Sequence, residues 1–420
     1  MDLLLAIGIL LGLTAVFGII NERYLHFQPA IGLMLLALLA TLILVALNFT
    51  GVINALGWEQ LLVEKLNLSS VLLNGVLCFM LFAGSAGVSF ESLHERRWII
   101  LSLAIGSTLL ACVLTGVILT TMLGWFGVTL ALGYAFVFGA LISPTDPIAA
   151  LSILKAAGLP KPLEAIMNGE SLFNDGVGVV LFTVALAFVG GGAQTSLSDA
   201  VVLFLREVLG GVGLGLLVGL VTHHMLMRTS DYTNQLLITL ATVTLGYAVG
   251  LKIEVSGPIA MVVAGLVVGN VTAPRLAAEV RKPLRTFWSG IDDTLNSLLF
   301  VMIGLVAVTI HGLPLAPLGI SVLVAVVVCL LARAISVYLP LIALNTTPAL
   351  NANTFAMTKL FTWGGLRGGL ALALALSLPD SPEKPLIVNM TFGVVAVSIL
   401  IQGSTIGKLF SPDYLKAIMR

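Results

Sequence analysis

Long apolar runs, separated by short polar stretches, repeat along nearly the whole of this 420-residue chain. A helix needs about 20 apolar residues to cross the hydrocarbon layer of a membrane, and a window of about that length finds about thirteen such runs. The pattern predicts an all-α polytopic membrane protein, with an additional short interfacial helix over 275–288. The approximate spans are 3–20, 29–48, 71–89, 98–123, 128–155, 162–190, 198–227, 234–250, 256–271, 292–311, 317–344, 352–377 and 385–410.

The composition agrees with that pattern and narrows the class of protein. Hydrophobic residues make up 59% of the chain and charged residues 10%, and the mean hydropathy is +1.11. A soluble domain with this balance would have a mostly apolar surface, so soluble classes are excluded. The formal net charge is zero, which offers no argument for a nucleic-acid partner. Neither a disulfide framework nor a zinc site is indicated by the three cysteines, and no cofactor is expected.

Lysine and arginine positions predict the orientation, because basic residues concentrate in cytoplasmic loops. With the N-terminus outside and the C-terminus in the cytoplasm, the basic segment 275–285 faces inward. Only Lys65, Lys252 and Lys384 among the loop residues then face outward. This distribution of basic residues requires an odd number of spans, because the two termini then lie on opposite sides of the membrane.

The fifth and twelfth spans are both interrupted. The fifth contains Ser-Pro-Thr-Asp-Pro at 143–147, and the twelfth contains Trp-Gly-Gly-Leu-Arg-Gly-Gly at 363–369. With spans 1–6 and 8–13 as two halves, the breaks fall at matching positions, which predicts inverted six-helix repeats with broken crossing helices. Glycine and proline are also common in ordinary membrane helices, but each break here includes a charged residue.

The break in the fifth span carries chemistry suited to a small cation. Pro144 and Pro147 have no backbone N–H, so carbonyl groups one turn earlier are free at membrane depth. These carbonyls, with the hydroxyls of Ser143 and Thr145, are hard oxygen ligands. Asp146 adds a negative charge, either as a ligand or as the cap of the second half-helix.

The sixth span carries a polar patch that cannot face lipid. Glu170 and Asn174 are four residues apart and share one face, and Ser171 and Asp175 form a neighbouring stripe. Burial disfavours an ionised carboxylate, so Asp175 is the best candidate to exchange a proton for a cation such as Na⁺. A purely structural buried aspartate is the alternative.

Glu170 requires a partner of opposite charge, because an unpaired carboxylate in an apolar environment is costly. Arg333 is a lone guanidinium in the eleventh span, and Arg367 lies in the glycine-rich break of the twelfth. Arg333 is the simpler partner. Arg367 is the rival, although it could instead neutralise the C-terminus of a half-helix.

Two further features suggest structural roles. Asp292 and Asp293 are expected to begin the tenth span, where acidic residues favour the helix dipole. Gly211, Gly215 and Gly219 form a row of small residues on the seventh span, typical of close helix packing.

The motifs of both breaks, together with Gly-Glu-Ser-Leu-Phe-Asn-Asp at 169–175, resemble the cation/proton antiporter group. The branch is the one that contains bacterial NhaP proteins and the eukaryotic sodium/proton exchangers. The resemblance implies a thirteen-helix inverted-repeat fold, a homodimer and elevator-like alternating access. It also implies one antiporter domain over 1–420, in which 71–190 and 292–410 contribute most of the transport bundle, and 1–60 and 198–271 the dimerisation scaffold.

The family pattern also implies roles for individual residues. Asp175 binds the ion and the proton, and the site is completed by Thr145, Asp146 and Ser171. The residues that support it are Glu170, Asn174 and Arg333, while Arg367 has a compensating role at a half-helix. The Asn-Asp pair is the family mark of electroneutral one-for-one exchange.

The sequence as a whole therefore predicts a transporter and not an enzyme, in a bacterial inner membrane, that exchanges Na⁺ or Li⁺ for H⁺. K⁺/H⁺ exchange is the close alternative, and a proton-coupled carrier of an organic solute is another. An intramembrane aspartyl protease fits poorly, because neither Asp146 nor Asp175 follows a Gly-x-Gly sequence.

Overall fold

The computed structural model of the chain describes residues 3–49, 70–191, 196–306, 315–345 and 353–418. Within these ranges the secondary structure is helical, and no β-strand occurs in them. In a lipid environment an apolar segment has to satisfy its backbone polar groups internally, which a helix does. The predicted all-α membrane fold is confirmed, and the chain is an integral membrane protein.

The helices of the first part of the chain follow the predicted order closely. They are α1 Leu3–Ile20, α2 Pro29–Phe49, α3 Leu77–Ala86, α4 Phe90–Glu95, α5 Arg97–Trp125, α6 Leu132–Ile142, α7 Ile148–Ala156 and α8 Lys161–Gly191. π-Helical turns extend α1 over Asn21–Leu25, precede α3 over Val71–Val76, and lie inside α5 over Ser102–Ser107.

The second part of the chain contributes nine more helices from the described residues. They are α9 Leu197–Leu226, α10 Tyr232–Lys252, α11 Gly257–Val267, α12 Ala278–Val306, α13 Leu315–Asn345, α14 Thr354–Gly364, α15 Gly369–Leu376, α16 Lys384–Leu409 and α17 Pro412–Ala417. A π-helical turn follows α11 over Val268–Thr272, and another lies inside α16 over Ser398–Gln402.

Length and apolar composition separate the membrane-crossing candidates from the other helices. Among the residues that the structure describes, nine helices are long and apolar enough to cross a membrane. Val71–Ala86 and Leu132–Ile142 are shorter apolar helices. The count of thirteen spans stays a prediction, and the predicted outward-facing Lys65 lies outside the described residues.

One predicted boundary is wrong. The sequence suggests a separate interfacial helix over 275–288 and a span that begins at 292, but α12 is continuous from Ala278 to Val306. Asp292 and Asp293 therefore lie inside a helix and do not cap its start. The lone Gly290 disfavours a helix by only about 1 kcal/mol, too little to end one that is held by packing on both sides. The predicted end of this span, at 311, falls beyond the described part.

Two clusters of buried apolar side chains hold the helices together. The larger one joins α2, α5, α6, α8 and α13–α16 with the C-terminal half of α12. The smaller one joins α3, α9, α10 and α11 with the N-terminal half of α12. Helix α12 therefore contributes to both clusters.

The glycine row of α9 permits close packing in the smaller cluster. A Cβ atom at Gly211 would lie 2.7 Å from the Ser256 carbonyl oxygen, and one at Gly215 would lie 2.6 Å from that of Ala260. At Gly219 it would lie 2.9 Å from Cβ of Val267. Side chains here would therefore push α11 away from α9, and the predicted packing role of this row is confirmed.

Candidate functional site

The two interrupted helices meet at their breaks. Helix α6 ends at Ile142 and α7 begins at Ile148, while α14 ends at Gly364 and α15 begins at Gly369. The Asp146 N–H donates to the Leu366 carbonyl oxygen over 2.8 Å. Each extended segment thus supplies a backbone partner that the other would lack at membrane depth.

Asp146 lies at the centre of this contact between the breaks. Its Oδ1 accepts a hydrogen bond from the Ile148 N–H over 3.0 Å, which satisfies the first free N–H of α7. A Cβ atom at Gly368 would lie 2.7 Å from Asp146 Oδ2 and 2.8 Å from its Cβ. A side chain at position 368 would therefore displace the carboxylate. Pro147 occupies the N-cap position of α7, so Asp146 satisfies the first N–H of the helix from one residue before the cap that the sequence offers as one alternative. Its Oδ2 has no hydrogen-bond donor among the described residues.

Arg367 compensates the end of the first half-helix. Its guanidinium is buried and donates to the carbonyl oxygens of Ser143 over 2.5 Å and Pro144 over 3.0 Å. These carbonyls come at the C-terminus of α6, where the helix dipole is negative and intrahelical donors have run out. The sequence suggests this contact as the alternative to an ion pair between Arg367 and Glu170.

Glu170 pairs with Arg333. Their side chains are only 3% and 2% exposed, and Arg333 Nη2 lies 2.6 Å from Glu170 Oε1. The same guanidinium faces the Phe361 carbonyl oxygen at 3.4 Å and the Ser107 hydroxyl at 3.5 Å. The predicted pairing is therefore present, and it links α8, α13 and the end of α14.

Asn174 joins α8 to the first break. Its Nδ2 donates to Thr145 Oγ1 over 2.9 Å, and the side chain is fully buried. The Oδ1 atom of Asn174 is also buried and has no hydrogen-bond partner within the described ranges. The bond fixes the Thr145 hydroxyl beside the polar face of α8.

Asp175 is the next residue on α8 and lies close enough to Asp146 for the two carboxyl groups to interact electrostatically. Neither carboxylate forms an ion pair with a basic side chain of the described chain. The contrast with Glu170, whose charge is balanced by Arg333, is the main electrostatic feature of the site.

Ser171 is placed by helix geometry alone. It lies one turn before Asp175 on the same stripe of α8 and is partly buried. Thr145, Asp146 and Asp175 are brought together more directly by the contacts described above. In the described residues no group of three or more His, Cys, Asp and Glu side chains could hold a metal ion.

Sequence reasoning missed several residues around these groups. Buried hydroxyls of Ser107 and Ser336 bond to each other over 3.2 Å beside Arg333, and the Ser398 hydroxyl accepts from the Arg367 N–H. Polar residues inside apolar spans are a general signal for such networks, but serine alone satisfies its hydroxyl within its own helix too often to be distinctive.

Comparison with known proteins identifies the family. The family model for the sodium/hydrogen exchanger transmembrane region matches residues 3–411. The Na⁺/H⁺ antiporter NhaP of Pseudomonas aeruginosa is 38% identical over 411 residues, which cover 96% of this chain and 95% of that protein. The chain belongs to the sodium/hydrogen exchanger family. This membership confirms the resemblance that the break motifs and the 169–175 motif carry.

Other members of the exchanger family are similar over somewhat shorter regions. The Na⁺/H⁺ antiporter NhaH of Halobacillus dabanensis is 34% identical over 76% of this chain and 77% of its own length. Among solved structures, the sodium proton antiporter MjNhaP1 from Methanocaldococcus jannaschii superimposes with a TM-score of 0.76 and covers 99% of both chains at 21% identity. The fold of this exchanger-family chain is therefore that of MjNhaP1.

Proposed function

We propose that this chain is a secondary-active Na⁺/H⁺ antiporter in which Asp175 holds either a proton or a Na⁺ or Li⁺ ion. The observation that carries the proposal is the pair Asp146 and Asp175, two neighbouring carboxyl groups with no basic partner in the described chain. Its relatives NhaP and NhaH are named as Na⁺/H⁺ antiporters, which supports the same exchange here.

The cation would be held by oxygen atoms. Asp175 and Asp146 supply charge, and Thr145 and Ser171 supply hydroxyl or backbone oxygens, all of which suit a hard monovalent ion. Thr145 is held in place by Asn174.

The two buried arginines near the proposed site bind other groups than Asp146 and Asp175. The ion pair with Arg333 neutralises Glu170, and Arg367 binds backbone carbonyls in the first break. The negative charge that remains near Asp146 and Asp175 is then available to a cation or a proton.

Competition for one carboxylate couples the two ions. Burial disfavours the empty charged form of Asp175, so the site crosses the membrane only when it is loaded with a proton or with a cation. One proton would exchange for one cation, which makes the cycle electroneutral. The alternating access would be elevator-like, with a bundle from 71–190 and 292–410 moving against a scaffold from 1–60 and 198–271.

The two apolar clusters support such a division, and they refine where its boundary lies. Side chains of α3 and of the N-terminal half of α12 pack in the cluster of α9–α11, so we place these two elements at the boundary between bundle and scaffold. Residues 50–60 of the proposed scaffold lie outside the described part of the chain.

We further propose a homodimer in a bacterial inner membrane, with the N-terminus outside and the C-terminus in the cytoplasm. Helix α9 supports this assembly, because large apolar side chains lie exposed along it, among them Val202, Leu209 and Leu217. Such a surface needs either lipid or a second copy of the chain to cover it.

The test is transport by the purified protein in vesicles that contain a pH-sensitive dye. Addition of NaCl or LiCl to vesicles with an acidic interior should raise the internal pH, and choline chloride at equal concentration should not. A response to KCl alone would show that the substrate is K⁺ and not Na⁺. No response to any of the three metal ions would contradict the antiporter assignment, and a response that requires an organic solute would favour a carrier.

A further inference from the structure

Two polar side chains of α16 bind the backbone of the second break. Ser398 Oγ accepts a hydrogen bond from the Arg367 N–H over 3.0 Å, and Gln402 Nε2 donates to the Trp363 carbonyl oxygen over 3.3 Å. Ser398 and Gln402 are the first and last residues of the π-helical turn inside α16, and they are only 1% and 5% exposed. Such turns inside α-helices frequently occur at functional sites.

The two backbone groups would be partners of each other in an uninterrupted helix. An α-helical N–H donates to the carbonyl oxygen four residues earlier, so the Arg367 N–H would bind Trp363 if α14 continued. Instead the backbone leaves the helix at Gly365, with φ −78° and ψ 71°. Ser398 and Gln402 thus take up the donor and the acceptor of one lost helical bond. A buried backbone group without a partner is unfavourable, so the two side chains stabilise the interruption itself.

The contact between the two breaks depends on this interruption. In a continuous helix the Leu366 carbonyl oxygen would accept from residue 370, whereas here it accepts from the Asp146 N–H over 2.8 Å. The Arg367 guanidinium reaches the carbonyl oxygens of the first break from the same segment. Closing the second break would therefore remove the backbone contact that holds Asp146.

The interrupted segment has space beside it. A cavity next to the second break is lined by Thr362, Gly365, Arg367 and Gln402, together with residues of α13 and α16. Close packing alone therefore does not fix the segment on that side. The hydrogen bonds to Ser398 and Gln402 oppose its movement into the cavity.

We propose that Ser398 and Gln402 are positioning residues of the antiporter, which hold the second break open and thereby keep Asp146 where it can bind the cation. This inference rests on the proposed function. Both residues act through the backbone of residues 363–367 and not as ligands of the ion. Their loss should weaken cation binding without removing a ligand, and should leave the maximal rate of exchange nearly unchanged.

The first test measures exchange in dye-containing vesicles for Ser398→Ala and for Gln402→Met, which has a similar length but no donor. Each variant should raise the Na⁺ concentration for half-maximal exchange about five- to tenfold, with the maximal rate within about twofold of the wild type.

Thr405→Val is the matched control on the same helix. Thr405 Oγ1 accepts from the indole N–H of Trp363 over 3.1 Å, so it bridges the same two helices without taking up the backbone pair of 363 and 367. Its substitution should shift the half-maximal Na⁺ concentration less than about twofold.

The second test asks whether the two released backbone groups pair with each other. Ser398→Ala together with Gln402→Met frees both the Arg367 N–H and the Trp363 carbonyl, which can then form the helical bond. The melting temperature of the double variant should fall by less than the sum of the two single shifts. Its half-maximal Na⁺ concentration should nevertheless exceed that of either single variant. Packing lost independently at two sites would instead lower the melting temperature additively.

Half-maximal Na⁺ concentrations that match the wild type in both single variants, or an equal shift in Thr405→Val, would overturn the positioning role and leave the antiporter assignment intact. Should Ser398→Ala fail to fold, Gln402→Met is compared with Thr405→Val alone, with the same reading. If the wild-type protein shows no exchange, the proposed function fails, and the melting temperatures still decide what the two side chains do. Less-than-additive shifts would support their replacement of the helical bond, and additive shifts would refute it.

Discussion

Asn174 donates a hydrogen bond to Thr145 over 2.9 Å and thereby ties the polar face of α8 to the break between α6 and α7. Asn174 lies one turn after Glu170 and directly before Asp175, so the same stretch of α8 includes a member of the buried ion pair, the contact with the break and the proposed exchange carboxylate. The backbone of α8 at Asp175 is consequently held by contacts of the residues before it, with Arg333 through Glu170 and with Thr145 through Asn174.

We expect Asp175→Asn to abolish Na⁺-dependent proton movement while the protein stays folded. Asparagine has nearly the same shape but can neither lose a proton nor carry the charge that attracts Na⁺. The internal-dye vesicle assay measures the loss, and the elution volume and melting temperature of the purified variant report the fold. Ordinary exchange in a folded Asp175→Asn protein would refute the shared-carboxylate mechanism.

Breaking the Glu170–Arg333 pair should strongly destabilise the protein. Both side chains are almost fully buried, so Glu170→Ala or Arg333→Ala leaves one unpaired charge and should cost about 3–5 kcal/mol. The double variant should lose less than the sum of the two singles, because no buried charge remains. Exchanging the two residues should restore part of the loss. Thermal unfolding in detergent measures all four variants.

The chain contains a matched control for that experiment. Lys155 and Glu164 form a 2.8 Å ion pair that is 48% and 32% exposed. Exposed pairs contribute only about 0–1 kcal/mol, so Glu164→Ala should barely change the melting temperature. If Glu170→Ala were equally harmless, the buried pair could not be what braces α8 against α13.

Much of this arrangement could be predicted, because a charged side chain in an apolar span is costly to bury without a partner. Glu170 and Arg333 are each too costly to bury alone, which is why their pairing follows from the sequence. The breaks could be located in the sequence because proline and glycine interrupt the apolar runs there. In contrast, the Asn174–Thr145 bond depends on how α8 crosses α6, and helix periodicity carries no information about crossings. The continuity of α12 was missed for a related reason: packing in two clusters outweighs the weak local preference of Gly290.

Gly368→Ala adds only one methyl group, but it should impair exchange strongly. The new Cβ would come within 2.8 Å of Asp146 Cβ as well as 2.7 Å of its Oδ2, so the whole carboxylate must move away from the first break. We expect a rise in the half-maximal Na⁺ concentration of about tenfold or more, since Asp146 is a proposed ligand. Gly364→Ala is the control at the start of the same break, because its Cβ would meet only the ends of two side chains, the Met167 methyl group at 3.1 Å and Ile406 Cδ1 at 3.4 Å. Similar effects of both substitutions would mean that the break as a whole, and not its contact with Asp146, limits transport.

A membrane voltage should leave the direction and extent of exchange unchanged. If one proton and one Na⁺ take turns on Asp175, each half of the cycle moves the same charge through the membrane and no net charge is transferred. Glu170, Arg333 and Arg367 would travel with the protein in both directions, so their charges cancel over the cycle as well. The measurement imposes a potassium diffusion potential with valinomycin on vesicles at equal Na⁺ and H⁺ concentrations and records the internal pH. A steady pH is expected, and a voltage-driven pH change that needs both Na⁺ and active protein would show unequal stoichiometry, with a second carboxylate such as Asp146 binding a proton in each turnover.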